Sequence, residues 1–127
     1  MPLDRYLIDH CSPTLANLKT ANLFSCRYSS REQLAAQVQG WHRALESKGV
    51  CLRLLRAKKG CALIYVYRPL RLAADLRKPG VAEFLAGCGY RSLTPEEALT
   101  RLSERLCTQD SFPHEIGLFL SYPLGDV

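Results

Sequence analysis

Apolar residues recur along this chain with two different periods, and the switches between them divide it into elements. After Ser30, the residues Leu34, Val38, Trp41 and Leu45 follow at intervals of four, three and four, so they share one side of a helix. Ser30 and Gln33 stand at capping-box spacing ahead of them, and Gly49 supplies the stop. A later segment reads the same way: Thr94 and Glu97 form the box, Pro95 takes the first helical position, and Leu99, Leu102 and Leu106 line one side as far as Cys107. Three shorter helices are expected. One starts at Ser12-Pro13 and runs to about Leu18, one runs from Pro69 to about Leu76, and one from Pro79 to about Ala86, where Gly87-Cys88-Gly89 ends it.

Between these helices the period shortens. Residues 21–25 read as a short strand, and residues 50–57 and 61–68 as a hairpin turning at Lys58, Lys59 and Gly60. In the second hairpin strand Leu63, Tyr65 and Tyr67 alternate with Ala62, Ile64 and Val66, so both faces are apolar and a central, doubly covered strand is predicted. Residues 115–122 (EIGLFLSY) read as one more buried strand. The fold class expected is α/β: a single small mixed β-sheet of about four strands with helices packed on its faces. A right-handed crossover would join the strand at 21–25 to that at 50–57. No repeat, linker or biased segment interrupts the pattern, so residues 1–127 are read as one domain.

Composition narrows the setting. The first ten residues carry Asp4, Arg5, Asp9 and His10 where an export signal needs a basic start and an apolar run, so a cytoplasmic protein is expected. The longest apolar run, residues 61–67, is seven residues, too short for membrane insertion. Without export, the six cysteines read as reduced thiols, and Cys51 and Cys61, several rungs apart on the hairpin, are not expected to bridge. Charge is uneven: residues 48–78 hold nine Lys or Arg against the single Asp75. An acidic partner or a nucleic acid would find its complement there, with Arg53, Arg56, Lys58 and Lys59 as the polyanion-binding candidates.

Three segments carry a resemblance. His10-Cys11-Ser12-Pro13-Thr14-Leu15-Ala16 with Asn22-Leu23-Phe24-Ser25 behind it, Tyr67-Arg68-Pro69, and the string from Phe112 to Leu120 (FPHEIGLFL) resemble the bacterial family catalogued as domain of unknown function 3793. The likeness runs through nearly the whole chain, and the last string is its most specific part. Family members look to have Gly where this chain has Ser121 and to continue past Val127, so a short or truncated member is expected. The resemblance implies no activity.

Chemistry has three candidate seats. Cys26 lies between a strand and a helix start, beside Arg27 and Arg31, where a thiolate is favoured; His114 would be its base and Glu115 or Asp9 the orienting carboxylate of a thiol-dependent enzyme. His10, Cys11 and Arg68 are ligand-binding candidates, Arg68 because a guanidinium at a strand-to-helix junction can hold a carboxylate or phosphate. His10, Cys11, Cys26 and His114 are the residue types of a soft-metal site, but no Cys-x-x-Cys or His-x-x-x-His pair organises them, and no metal site is expected. Neither a dinucleotide-binding nor a P-loop glycine pattern occurs, and no cofactor is indicated. The leading expectation is a binding or regulatory domain without catalysis of its own; the thiol enzyme and the polyanion binder are the alternatives.

Overall fold

The computed structural model describes residues 3–109 and 111–127, and its elements follow the chain as helix α1 (Leu3–Leu15), strand β1 (Ala21–Arg27), helix α2 (Arg31–Glu46), strands β2 (Cys51–Lys58) and β3 (Cys61–Tyr67), and helices α3 (Pro69–Leu76), α4 (Val81–Gly87) and α5 (Pro95–Thr108). Two 3-10 segments, His114–Leu120 and Leu124–Asp126, complete it. Both N-caps form. The Ser30 hydroxyl accepts from the Gln33 N–H at 3.2 Å, and the Thr94 hydroxyl from the Glu97 N–H at 3.4 Å.

The sheet has three strands in the order β1-β3-β2, and both pairings are antiparallel. The sequence led to a mixed sheet of about four strands with β1 and β2 adjacent. Instead β3 lies between β1 and β2, which therefore run parallel to each other without touching. The strand with two apolar faces takes the centre, where both faces are covered. Lys59 and Gly60, at φ 53° and 77°, make the two-residue turn that a right-handed twist favours and set Lys58 opposite Cys61. Cys51 lies opposite Tyr67, at the far end of the hairpin from Cys61, and none of the six cysteines is bridged.

Two apolar clusters fill the spaces on either side. Ala62, Ile64 and Val66 of β3 pack with Leu3, Leu7 and Cys11 of α1 and with Leu34 and Val38 of α2. Leu63, Tyr65 and Tyr67 pack with Leu72 and Leu76 of α3, Leu85 of α4, Leu99, Leu102 and Leu106 of α5, and Phe119. The alternation in β3 thus sorts its side chains between the faces as its pattern predicts. A bulge at Leu55 in β2 places both Leu55 and Arg56 toward α5, and the Leu55 carbonyl accepts the Ser103 hydroxyl.

Two local expectations are corrected. Helix α1 starts at Leu3, not at Ser12: Leu3, Leu7, Cys11 and Thr14 form its buried stripe, and Ser12 and Pro13 sit in its last turn, where the Ser12 hydroxyl donates to the Ile8 carbonyl at 2.6 Å. Residues 115–122 are not a strand. Residues 114–120 coil as a 3-10 helix that buries Glu115, Gly117, Leu118 and Phe119 on the α5 face of the sheet. Gly117 faces the Tyr122 and Val127 side chains so closely that an added Cβ would stand 3.1 Å from each.

Candidate functional site

The residues singled out in the sequence are placed mostly in joints of the fold. Cys26 is buried in the cluster under α1 and α2, and that burial, with the nearby Cys61 thiol adding to it, pushes its own thiol up from the ordinary value. His114 is exposed at the start of a segment packed on the opposite face. The sheet therefore separates the thiol from its intended base. Glu115 is fully buried, and its carboxylate accepts from Nε and a terminal nitrogen of Arg105 and from the Tyr90 hydroxyl at 3.0 Å. Both its oxygens are engaged in holding the 3-10 segment to α5 and to residue 90. Asp9 is exposed on α1.

His10 and Cys11 point apart, as neighbours on a helix do. The exposed His10 ring stacks with Tyr6 and Phe24, at centroid distances of 6.0 and 5.8 Å. Cys11 is fully buried, and that burial pushes its thiol up to about 12, against a smaller opposite pull from Lys19. Among the described residues no three His, Cys, Asp or Glu side chains gather in a way that could hold a metal ion. Arg68 is committed to the backbone: its guanidinium donates to the Thr14, Leu15 and Lys48 carbonyls at 2.9, 3.0 and 3.2 Å. It closes the last turn of α1 and ties in the chain after α2, at the helix end where a cation is favoured.

The basic candidates divide. Arg53 lies against the start of α5, with a guanidinium nitrogen 2.8 Å from the Thr100 hydroxyl and an ion pair to Glu96 at 3.5 Å. Arg56 donates to the Leu106 carbonyl at 3.2 Å, at the other end of that helix. Lys58 and Lys59 are exposed at the hairpin turn. Tyr65 is core, its hydroxyl donating to the Phe119 carbonyl.

A broad concavity lies elsewhere, between α4, residues 89–92 and the outer side of α5. It encloses about 780 Å³, inside the range of small-molecule sites, and its polar walls are Arg91, Ser92, Glu97, Thr100, Arg101 and Glu104. Four of these follow from one helix face, since positions 97, 100, 101 and 104 are spaced three, four and seven apart, opposite the buried leucines. Gly89, at φ 94°, lets the chain turn back against α5; a Cβ there would stand 3.1 Å from the Arg101 guanidinium. Tyr90 anchors this turn through Glu115.

Two guanidiniums and two carboxylates face this groove. Arg101 reaches Glu104 only at 3.8 Å, and its Nε is a buried donor without a hydrogen-bond partner among the described residues. Arg91 is exposed and has no ion pair among them. A buried donor left unmet costs free energy unless a ligand or water meets it. The sequence reading missed this site because its residues look like an ordinary solvated helix face; the signal available was the pairing of Glu97 with Arg101 and Glu104 beside a double-glycine turn.

The family model for a protein of unknown function, DUF3793, matches residues 7–127. The chain belongs to that family. A comparison with curated proteins and one with solved structures found no match. The strings that carried the resemblance to DUF3793 coincide with joints: Thr14 and Leu15 under Arg68, the Thr14 hydroxyl donating to Asn22 at 2.6 Å, and Glu115 under Arg105. Among the described residues, no helix is long and apolar enough to cross a membrane.

Proposed function

We propose that this DUF3793 chain is a binding domain whose groove beside α5 takes a small ligand carrying both a carboxylate and an amino group, an α-amino acid being the simplest example. The observation that carries this reading is a groove lined at once by Arg91 and Arg101 and by Glu97 and Glu104, in which Arg101 approaches Glu104 only to 3.8 Å and Arg91 has no ion pair among the described residues. A guanidinium recognises a carboxylate by paired donors, which fits the acid end of such a ligand to Arg101 and Arg91. Glu97 and Glu104, on the same helix face, are acceptors for its ammonium. The hydroxyls of Ser92 and Thr100 add short-range polar contacts. Among the described residues the groove's lining consists of charged, hydroxyl and small side chains, and the reading assigns it recognition.

Thermal unfolding with each of the twenty proteinogenic amino acids tests this. A ligand present at about 100 times its Kd stabilises the folded state by about 2.7 kcal/mol. A saturable rise of several degrees with at least one amino acid is expected, abolished in Arg101→Met, while the Tm of the free variant stays close to that of the parent. No rise with any of them, or one that persists in Arg101→Met, contradicts the reading.

A further inference from the structure

The two outer edges of the sheet are finished differently. Just past the ends of β1, the Tyr28 N–H donates to the Gly60 carbonyl at 3.0 Å and the Arg68 N–H to the Thr20 carbonyl at 2.9 Å. The register of β1 with β3 is unbroken between these two pairs, so bonded and non-bonded pairs alternate along it. Asn22, Phe24 and Cys26 therefore turn their backbone groups towards β3, while Ala21, Leu23, Ser25 and Arg27 turn theirs outward. Ala21 is buried. At Leu23, Ser25 and Arg27 the outward N–H and C=O groups have no hydrogen-bond partner among the described residues. Ser25 and Arg27 are exposed, and Leu23 is half-buried.

The outer edge of β2 is occupied. There the Leu52 N–H donates to His42 Nδ1 at 3.2 Å, the Leu55 carbonyl accepts the Ser103 hydroxyl, and the bulge at Leu55 interrupts the ladder. Bulges and covering groups of this kind keep an edge from recruiting another strand. Strand β1 has neither: its pairing with β3 is regular, it contains no proline, and its one charge, Arg27, stands at its end.

We infer that β1 is a dimerisation edge, pairing antiparallel with β1 of a second copy about a two-fold axis through Ser25. The residues with free groups set this register, because Ser25 stands midway between Leu23 and Arg27. Ser25 then lies opposite the partner's Ser25, and Leu23 opposite the partner's Arg27. Directly opposed residues of this kind exchange both of their N–H···O=C bonds, so every free group on the edge is met. A second copy fits because the set is self-complementary and the contact closes with nothing left over. The half-buried Leu23 gains cover from the aliphatic stem of the partner's Arg27. The two Arg27 residues, each two positions from the axis, stand about 14 Å apart along the strands at about 3.4 Å per residue, farther than the Debye length of about 8–10 Å in ordinary buffers, so they do not oppose the pairing. The product is one continuous sheet with three strands from each copy. This edge is separate from the groove beside α5, and its test does not depend on that site.

The test is sedimentation equilibrium of the full chain from micromolar to near-millimolar concentration, with its thiols kept reduced so that the exposed Cys61 and Cys107 form no cross-link. The weight-average mass should climb towards twice that of the chain. Over the same range, hydrogen exchange of the Leu23, Ser25 and Arg27 amides should slow as the dimer fills. Ser25→Lys and Ser25→Glu each set like charges opposite one another at the axis and should weaken association at least about tenfold. Mixing the two variants in equal amounts should recover it, because lysine then faces glutamate. Ser25 is exposed, and circular dichroism confirms that both variants are folded. A mass that stays at that of one chain, a dimer undiminished in both variants, or a mixture that associates no better than either variant alone would overturn the inference.

Discussion

Replacing Glu115 by glutamine removes one charge from the most completely buried acid among the described residues and should destabilise the fold markedly. The carboxylate accepts from two nitrogens of Arg105 and from the Tyr90 hydroxyl, and Glu115 has no exposure to solvent. Glutamine keeps the shape but turns one acceptor into a donor, which then faces another donor. Breaking a fully buried pair by altering one partner costs about 3–5 kcal/mol. The Arg105 side chain is 22% exposed, so water can reach part of the abandoned guanidinium, and about 2–3 kcal/mol is the figure expected here. At an unfolding entropy of about 2.1 cal/mol/K per residue, that lowers Tm by roughly 8–11 °C for a chain of this length. The loss should be non-additive. In a cycle with Arg105→Gln, the double variant should recover about 1–3 kcal/mol relative to the sum of the singles, because neither partner is then left alone. Thermal melts followed by circular dichroism give all four values. A Tm within about 2 °C of the parent, or strict additivity, would refute the view that Glu115 is a structural clamp.

Three further outcomes follow from the same structure. Arg68→Lys should destabilise nearly as much as Arg68→Met, by about 2 kcal/mol in chemical denaturation, because one ammonium cannot span the three carbonyls that the guanidinium reaches; full rescue by lysine would contradict this. Burial alone would raise the Asp75 carboxyl, but hydrogen bonds from Ser121, Thr20 and Lys78 outweigh it and hold the group below its ordinary value. Its contribution is thus fully present above about pH 4 and is lost as pH falls through the lowered value, so Asp75→Asn should lose stability near neutrality and show a shallower acid limb below about pH 4. Alkylation near neutral pH should label the exposed Cys61 and Cys107 ahead of the buried Cys11 and Cys26, as read by mass spectrometry of timed digests; labelling of Cys26 first would return it to consideration as a nucleophile.

How far the fold could be read from the chain depended on the strength of its local signals. The faces of β3 were legible because six consecutive side chains sort unambiguously between two sides. Helices α2 and α5 were legible because each carries a cap and a stripe. The segment at 115–120 was not, because six mostly apolar residues without a cap fit a strand or a tight helix equally well. What decides it is Arg105, ten positions away, which holds Glu115 inside. Ser12-Pro13 misled for another reason: a start signal also fits the last turn, and the stripe of Leu3, Leu7, Cys11 and Thr14 was the better guide. Of the candidate site, the α5 face was written in the spacing of Glu97, Thr100, Arg101 and Glu104. Its opposite wall depends on Gly89 adopting a positive φ and on Tyr90 reaching Glu115, both tertiary facts.

The reading of this chain as a binding domain is tested most directly by titrating the isotopically labelled protein with the amino acid that stabilises it most and following the backbone amide resonances. The account predicts saturable shifts concentrated in residues 89–92 and 97–104, absent in Arg101→Met, with the resonances of Arg27, Lys59 and Cys61 unmoved. Shifts centred on any other part of the molecule, or none at millimolar ligand, would contradict it.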